Sequence, residues 1–201
     1  MTNENISLFD AIHSQRAIRH FSDKPVPDEA IETMLNAAIH APSAGNRQPW
    51  RFVVMRDADL KRQLAQWYLS AWQTVTAGME VIPQPYRHGA ELAQQMATVP
   101  VLILACIDHG RANTGPGPVT RGASIYPAVQ NLLLAARALG LGTVLTTLHT
   151  RYESEIKALL HIPETVETAA LIPVGYPAEG ARFGHARRRP FAEVVFYERW
   201  G

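Results

Sequence analysis

The strongest apolar period in the chain runs through Ile31, Met34, Leu35, Ala38 and Ile39, spaced to line one face of a helix. Asp28 starts this helix after Pro25-Val26-Pro27, and Pro42 stops it. A shorter stripe at Ile6, Phe9 and Ile12 predicts a helix over residues 6–15, with Ser7 and Asp10 as a capping pair. Beyond it, Ile18 and Phe21 can anchor the following segment in the core, which holds Arg16 and Arg19 close together. Asp57 caps a longer helix carrying Leu60, Leu64, Trp67, Tyr68, Ala71 and Val75, whose aromatic residues read as core or subunit contact. Ile125, Val129, Leu132, Leu133, Ala136 and Leu139 form the most apolar helix, capped by Ser124, with Pro127 in its first turn and Gly140 at its end. A last short helix covers Glu153 to Leu160, with Ile156, Leu159 and Leu160 inward.

Continuous apolar runs predict the strands. Val99 to Ile107 reads as a central strand covered on both faces, and Phe52 to Met55 as a short buried one. Gly142 to Leu148 is a strand with a polar end, Ala169 to Gly175 another, and Val194 to Tyr197 a terminal one. Residues 77–98 are broken by Pro83, Pro85 and Gly89, with a helix resuming near Ala90; the segment is either a wall beside a site or a surface excursion. Residues 109–122, rich in glycine and proline, read as a loop.

The segment that breaks both periods is Ala41 to Trp50, Ala-Pro-Ser-Ala-Gly-Asn-Arg-Gln-Pro-Trp, between a helix and a strand. Ser43, Asn46 and Gln48 offer donors and acceptors suited to a planar heterocycle, on a loop held by rigid elements. An ordinary helix-to-strand connection fits these ten residues equally well. Arg16 and Arg19 suit a phosphate, which guanidinium groups grip in bidentate fashion, or a solvated surface pair. Gly140-Leu141-Gly142 is no dinucleotide fingerprint, because it follows a helix and precedes a strand and lacks the third glycine.

Composition narrows these options. With 201 residues, 47% apolar and 18% charged, the chain has the makings of one globular domain spanning 1–201. A net charge of +1 argues against a general polyanion binder, and the triple Arg187-Arg188-Arg189 is too short to reverse that. Sixteen arginines against three lysines mean that only convergent arginines carry weight. The lone cysteine, Cys106, lies in the central apolar run, so it forms no intramolecular disulfide or cysteine-based zinc site and reads as an inert thiol. The eight histidines lack a metal-binding spacing, so no metal is expected. With no leader pattern and no apolar run long enough to span a bilayer, a cytoplasmic location is the expectation.

The ordered set Arg16-Ala17-Ile18-Arg19-His20-Phe21, Pro25-Val26-Pro27, Ala41 to Trp50, Gln130 to Ala136, Leu139 to Gly142 and Pro173-Val174-Gly175-Tyr176-Pro177 resembles the nitroreductase family. The resemblance covers nearly the whole chain. It implies an α+β fold, with helices flanking a mostly antiparallel central sheet and a C-terminal strand exchanged in a homodimer. It further implies an FMN phosphate held by arginines of the Arg16–Arg19 segment and by Arg187 and Arg189. Ala17 belongs to the same segment. Pro42, Ser43, Ala44 and Asn46 would contact the flavin from the neighbouring subunit, with Gln48 behind them, and Thr146, Thr147 and Leu148 would lie along the ring. Gln15 and Ala17 depart from the pattern, since many members carry arginine and serine there, and this shifts weight onto Arg16, Arg19 and the C-terminal cluster.

The implied activity is a two-step hydride relay, from NADH or NADPH to FMN and on to a nitroaromatic, a quinone or a related small electron-poor acceptor. No side chain is needed as nucleophile or acid, so no catalytic residue is assigned. The rivals are enone reduction, dehalogenation or flavin breakdown within the family, and an FMN-binding protein without turnover. Neither a nucleic acid nor a membrane is an expected partner.

Overall fold

The computed structural model describes residues 6–110 and 122–200; most of the loop expected at 109–122 lies outside them. The helices are α1 (Leu8–Ser14), α2 (Asp28–Ile39), α3 (Ala58–Thr76), α4 (Gln84–Gln95), α5 (Ile125–Ala138) and α6 (Glu153–Leu159). The strands are β1 (Trp50–Met55), β2 (Val101–Asp108), β3 (Gly142–Thr143) and β4 (Val166–Gly175). All three pairings are antiparallel, in the order β1-β2-β4-β3. The α+β expectation holds.

Strand β2 organises the core because every one of its apolar side chains finds a cover. Alternate residues point to opposite faces of a strand. Val101, Ile103, Ala105 and Ile107 pack with Ile31, Met34 and Ala38 of α2 and with Ile125, Val129 and Leu132 of α5. Leu102, Leu104 and Cys106 pack on the other face with Leu64, Tyr68 and Trp72 of α3, Leu92 of α4, and Ile156 of α6. Cys106 is free and buried, and its apolar setting pushes the thiol up to about 12, which leaves it inert.

Local signals set most boundaries as expected. The Ser7 hydroxyl accepts from the Asp10 N–H at 3.1 Å, and the Asp57 carboxylate accepts from the N–H groups of Asp59 and Leu60, each at 2.9 Å. Gly140, at φ +72°, closes α5, where the Leu141 N–H reaches back to the Ala136 carbonyl at 2.8 Å.

The helix expected over 6–15 forms, with its stripe outside the core: Phe9 is 70% exposed and Ile12 46%, and only Ala11 is buried. Other expectations need correction. β1 is an edge strand, with Val54 exposed and Phe52 and Val53 half-buried rather than buried. α4 begins at Gln84, not near Ala90, because Pro85 falls in its first turn, where a missing N–H costs nothing. Gly89 sits inside that helix, where a Cβ would stand 2.7 Å from Trp72 Cη2, so glycine lets the indole in. The strand expected to run from Gly142 to Leu148 ends at Thr143, touches the sheet once more at Thr146 opposite Leu171, and becomes a 3-10 turn at Leu148–Tyr152. Finally, Val194 to Tyr197 is not a strand. It follows a 3-10 turn at Phe191–Glu193, and among the described residues it pairs with no strand of its own chain.

Candidate functional site

The arginine segment is fixed to the sheet by its backbone. Ala17 bridges Thr143 in parallel sense, the Ile18 N–H donates to the Thr143 carbonyl at 3.0 Å, and Phe21 bridges Pro177. The Ile18 side chain is buried over Gly142, where any Cβ would lie 2.6 Å from its Cγ2. Glycine at 142 is thus what allows the segment to lie down. On either side of buried Ile18, Arg16 is exposed and Arg19 half-buried.

Arg19 is the electrostatic centre of this half of the site. Burial holds its guanidinium below the usual arginine range; the Tyr68 phenol opposes that shift, and the Arg16 charge reinforces it. Tyr68 is itself buried on α3, and burial pushes its phenol up against the counter-pull of the Thr146 hydroxyl and Arg19. Tyr68 thus stands near both Arg19 and Thr146. Among the described residues neither Arg16 nor Arg19 has a carboxylate within ion-pair distance, although Arg51 and Arg56 both do. Two neighbouring cations without a counter-charge, one of them partly desolvated, are unfavourable alone and fit a bound anion.

Thr146 exchanges both backbone hydrogen bonds with Leu171, at 3.0 and 2.9 Å, so its own N–H is committed. Thr147 caps the following 3-10 turn by accepting from the Thr150 N–H at 3.1 Å. The first N–H groups of such a turn, beginning at Leu148, have no acceptor within it. Beneath lies His149, fully buried, with neither ring nitrogen hydrogen-bonded among the described residues. Burial lowers its pKa to about 4, so the imidazole is neutral.

The loop from Pro42 to Gln48 is tightly wound and exposed apart from half-buried Ser43. Gly45, Asn46 and Gln48 all have positive φ, at +57°, +51° and +51°, and the two non-glycine residues carry a local strain of about 1–2 kcal/mol each. Side chains hold the winding: the Ser43 hydroxyl accepts from the Gln48 N–H at 3.0 Å, and the Gln48 amide donates to the Asn46 carbonyl oxygen at 3.1 Å. Ser124 does not cap α5 as expected. Its backbone is already helical, and its hydroxyl accepts from the Ala44 N–H at 3.4 Å.

Within one chain these two halves do not meet. The arginine segment joins the sheet at Thr143, opposite Val174, which pairs with Val101 at the start of β2. The loop leads into Trp50, opposite Ile107 at the far end of β2. They are separated by nearly the full strand, roughly 20 Å. The C-terminal arginines approach the first half only by chain path: the Gly184 N–H donates to the Ser14 carbonyl at 3.0 Å, and His185 stacks obliquely on His13. Arg187 and Arg189 themselves are exposed. Tyr68 was the residue sequence reasoning missed, since an aromatic position on an apolar helix face carries no mark separating core from site.

Comparison with known proteins agrees with this architecture. The family model described as "Nitroreductase family" matches residues 12–176. A protein of Methanothermobacter thermautotrophicus, provisionally named NADH dehydrogenase/NAD(P)H nitroreductase, is 36% identical over 177 residues, covering 87% of this chain and 79% of its own. Rat iodotyrosine deiodinase 1 is 30% identical, over 94% of this chain and 68% of its own. A Desulfovibrio desulfuricans protein, provisionally named a nitroreductase and solved in complex with FMN, superposes with a TM-score of 0.74 at 30% identity, covering 98% and 99% of the two chains. The chain belongs to the nitroreductase family.

Proposed function

We propose that this protein passes electrons from NADH or NADPH to small electron-poor acceptors such as nitroaromatics and quinones, at two FMN sites formed between two copies of the chain. As a nitroreductase-family member it is an FMN-dependent NAD(P)H oxidoreductase. The acceptor, the dimer and the individual contacts are the proposed part. The observation that carries the reading is the Arg16–Arg19 pair, fixed on the sheet beside Tyr68 and Thr146 without a carboxylate of its own.

In this reading Arg16 and Arg19 hold the phosphate, joined by Arg187 and Arg189 from the tail that passes Ser14. Ala17 presents its backbone from the same segment. The N–H groups of Thr147 and Leu148 would serve the flavin ring, since Leu171 has taken the N–H of Thr146. The second copy supplies Pro42, Ser43, Ala44, Asn46 and Gln48. When bound, the flavin supplies the redox chemistry of both half-reactions. The chain's part is to neutralise the phosphate, orient the ring by backbone and amide hydrogen bonds, and keep bulk water from one face.

Dimerisation is supported by what one chain leaves uncovered. The loop and the arginines stand a strand length apart, α1 exposes Leu8, Phe9 and Ile12, and the tail exposes Phe191, Val194, Tyr197 and Trp200. The tail would then add to the free edge of β1 in the partner, giving Val194 to Tyr197 the pairing it lacks alone. Among the described residues no helix is long and apolar enough to cross a membrane. A cytoplasmic location is proposed on that basis together with the reduced, buried Cys106.

The test is steady-state oxidation of NADH and NADPH by the purified flavoprotein with menadione or a nitrofuran as acceptor. Sustained turnover supports the proposal, whereas oxidation of a single equivalent per flavin marks a store. The similarity to iodotyrosine deiodinase makes 3-iodotyrosine the control acceptor. Iodide release in preference to quinone reduction would replace the acceptor class and leave the flavin site intact.

A further inference from the structure

Three side chains that the flavin reading does not use meet on the outer side of α4. His88 and Glu91, one helical turn apart, project from α4 toward His20, which follows Arg19 in the sheet-bound segment. Glu91 Oε2 lies 2.8 Å from His20 Nε2 and 3.0 Å from His88 Nδ1. The two imidazoles meet edge to face, with ring centroids 5.6 Å apart. All three candidate ligand atoms fall within 4.8 Å of one another.

We propose that His20, His88 and Glu91 form a binding site for a divalent transition cation of the zinc class. Two imidazoles and one carboxylate are a donor set suited to zinc and its neighbours, while magnesium and calcium prefer all-oxygen shells. Bonds of about 2.0–2.2 Å place neighbouring ligand atoms about 3.3–3.6 Å apart around a tetrahedral ion. The carboxylate separations are already close to that, so the ion needs only ring rotations and a small withdrawal of Glu91. The Glu91 carboxyl is held below its usual range, first by the His88 hydrogen bond, and so is ionised at neutral pH. To take the ion, each ring nitrogen that faces the carboxylate presents its lone pair. The partial exposure of all three leaves a fourth position to water.

This site escaped the sequence because its ligands do not share one motif. His88 and Glu91 sit on a helix interrupted on paper by Pro85 and Gly89, and His20 lies on a distant segment. A bound ion would fasten α4 to the segment carrying Arg16 and Arg19. The site's existence does not depend on the flavin assignment.

The test is calorimetric titration of the full chain, freed of any histidine tag, with zinc chloride at neutral pH, and with magnesium chloride as control. Flavin content is measured separately on the same sample. The expected result is one zinc per chain with a dissociation constant on the order of micromolar or tighter, no magnesium binding, and slower amide exchange across residues 84–95 when zinc is present. His88→Gln and Glu91→Gln should each weaken binding at least about tenfold, with unchanged far-ultraviolet circular dichroism showing that the fold is intact. Absence of saturable zinc uptake, or uptake unaltered in both variants, overturns the proposal.

Discussion

Arg19 illustrates how a single residue's setting departs from what its type suggests. It is half-buried beside another arginine, and a buried phenol opposes the resulting lowering of its pKa. A charge-assisted hydrogen bond contributes about 1.5–3 kcal/mol. Arg16→Ala and Arg19→Ala should therefore each weaken FMN binding roughly ten- to a hundredfold, measured by fluorescence titration of the apoprotein; unchanged affinity in both would remove the phosphate assignment. His149 makes a separate prediction, because its folded pKa of about 4 lies below the ordinary histidine value of 6.5. The unfolded chain binds the extra proton first. The stabilisation is thus complete above about pH 6.5 and is lost as the pH falls toward 4, by about 3 kcal/mol in all. His149→Phe should flatten urea-unfolding stability over that window, and an unchanged slope would show that other groups govern it.

At the scale of elements, periodicity was most informative where an element's neighbours all lie in the same chain. The helix at Asp28–Ile39, the helix at Ile125–Ala138 and the doubly covered strand at Val101–Asp108 follow from their apolar spacing, because intrachain burial set that spacing. Spacing also placed α1, though its apolar face stays exposed, and it failed for Val194 to Tyr197, since spacing reports that a face needs cover and not which molecule supplies it. In the candidate site, the arginine segment and the polar loop were legible as residue types. Their separation along β2 was not, because it follows from strand register, nor was the Tyr68 link between α3 and Thr146. Gly142 tests how strictly the arginine segment depends on its neighbour. Gly142→Ala would place a methyl 2.6 Å from Ile18 Cγ2, and such overpacking costs about 1–3 kcal/mol. The expected outcome is a melting temperature lowered by roughly 2–10 °C, with weaker FMN retention. A variant that melts and binds like the parent would mean that the segment can shift freely.

For the whole molecule, the proposed site falls into two parts that lie apart within one chain. The arginines and Thr146 stand toward one end of the sheet, the strained loop at Asn46 and Gln48 at the other, and the apolar faces of α1 and the tail lie bare. In the proposed twofold pair each loop would complete the arginine half of its neighbour, and the bare apolar faces would be covered. Mixed dimers test this directly. One chain carries Arg16→Ala with Arg19→Ala, the other carries Asn46→Ala with Gln48→Ala, and bound FMN is counted after co-expression and separation of the hybrid from both parents. If the sites are composite, both parent dimers are depleted of flavin and the hybrid holds one FMN per dimer, since one of its two interfaces combines the intact arginines with the intact loop. A hybrid as empty as its parents, or a parent monomer that keeps its full complement of FMN, would contradict the account.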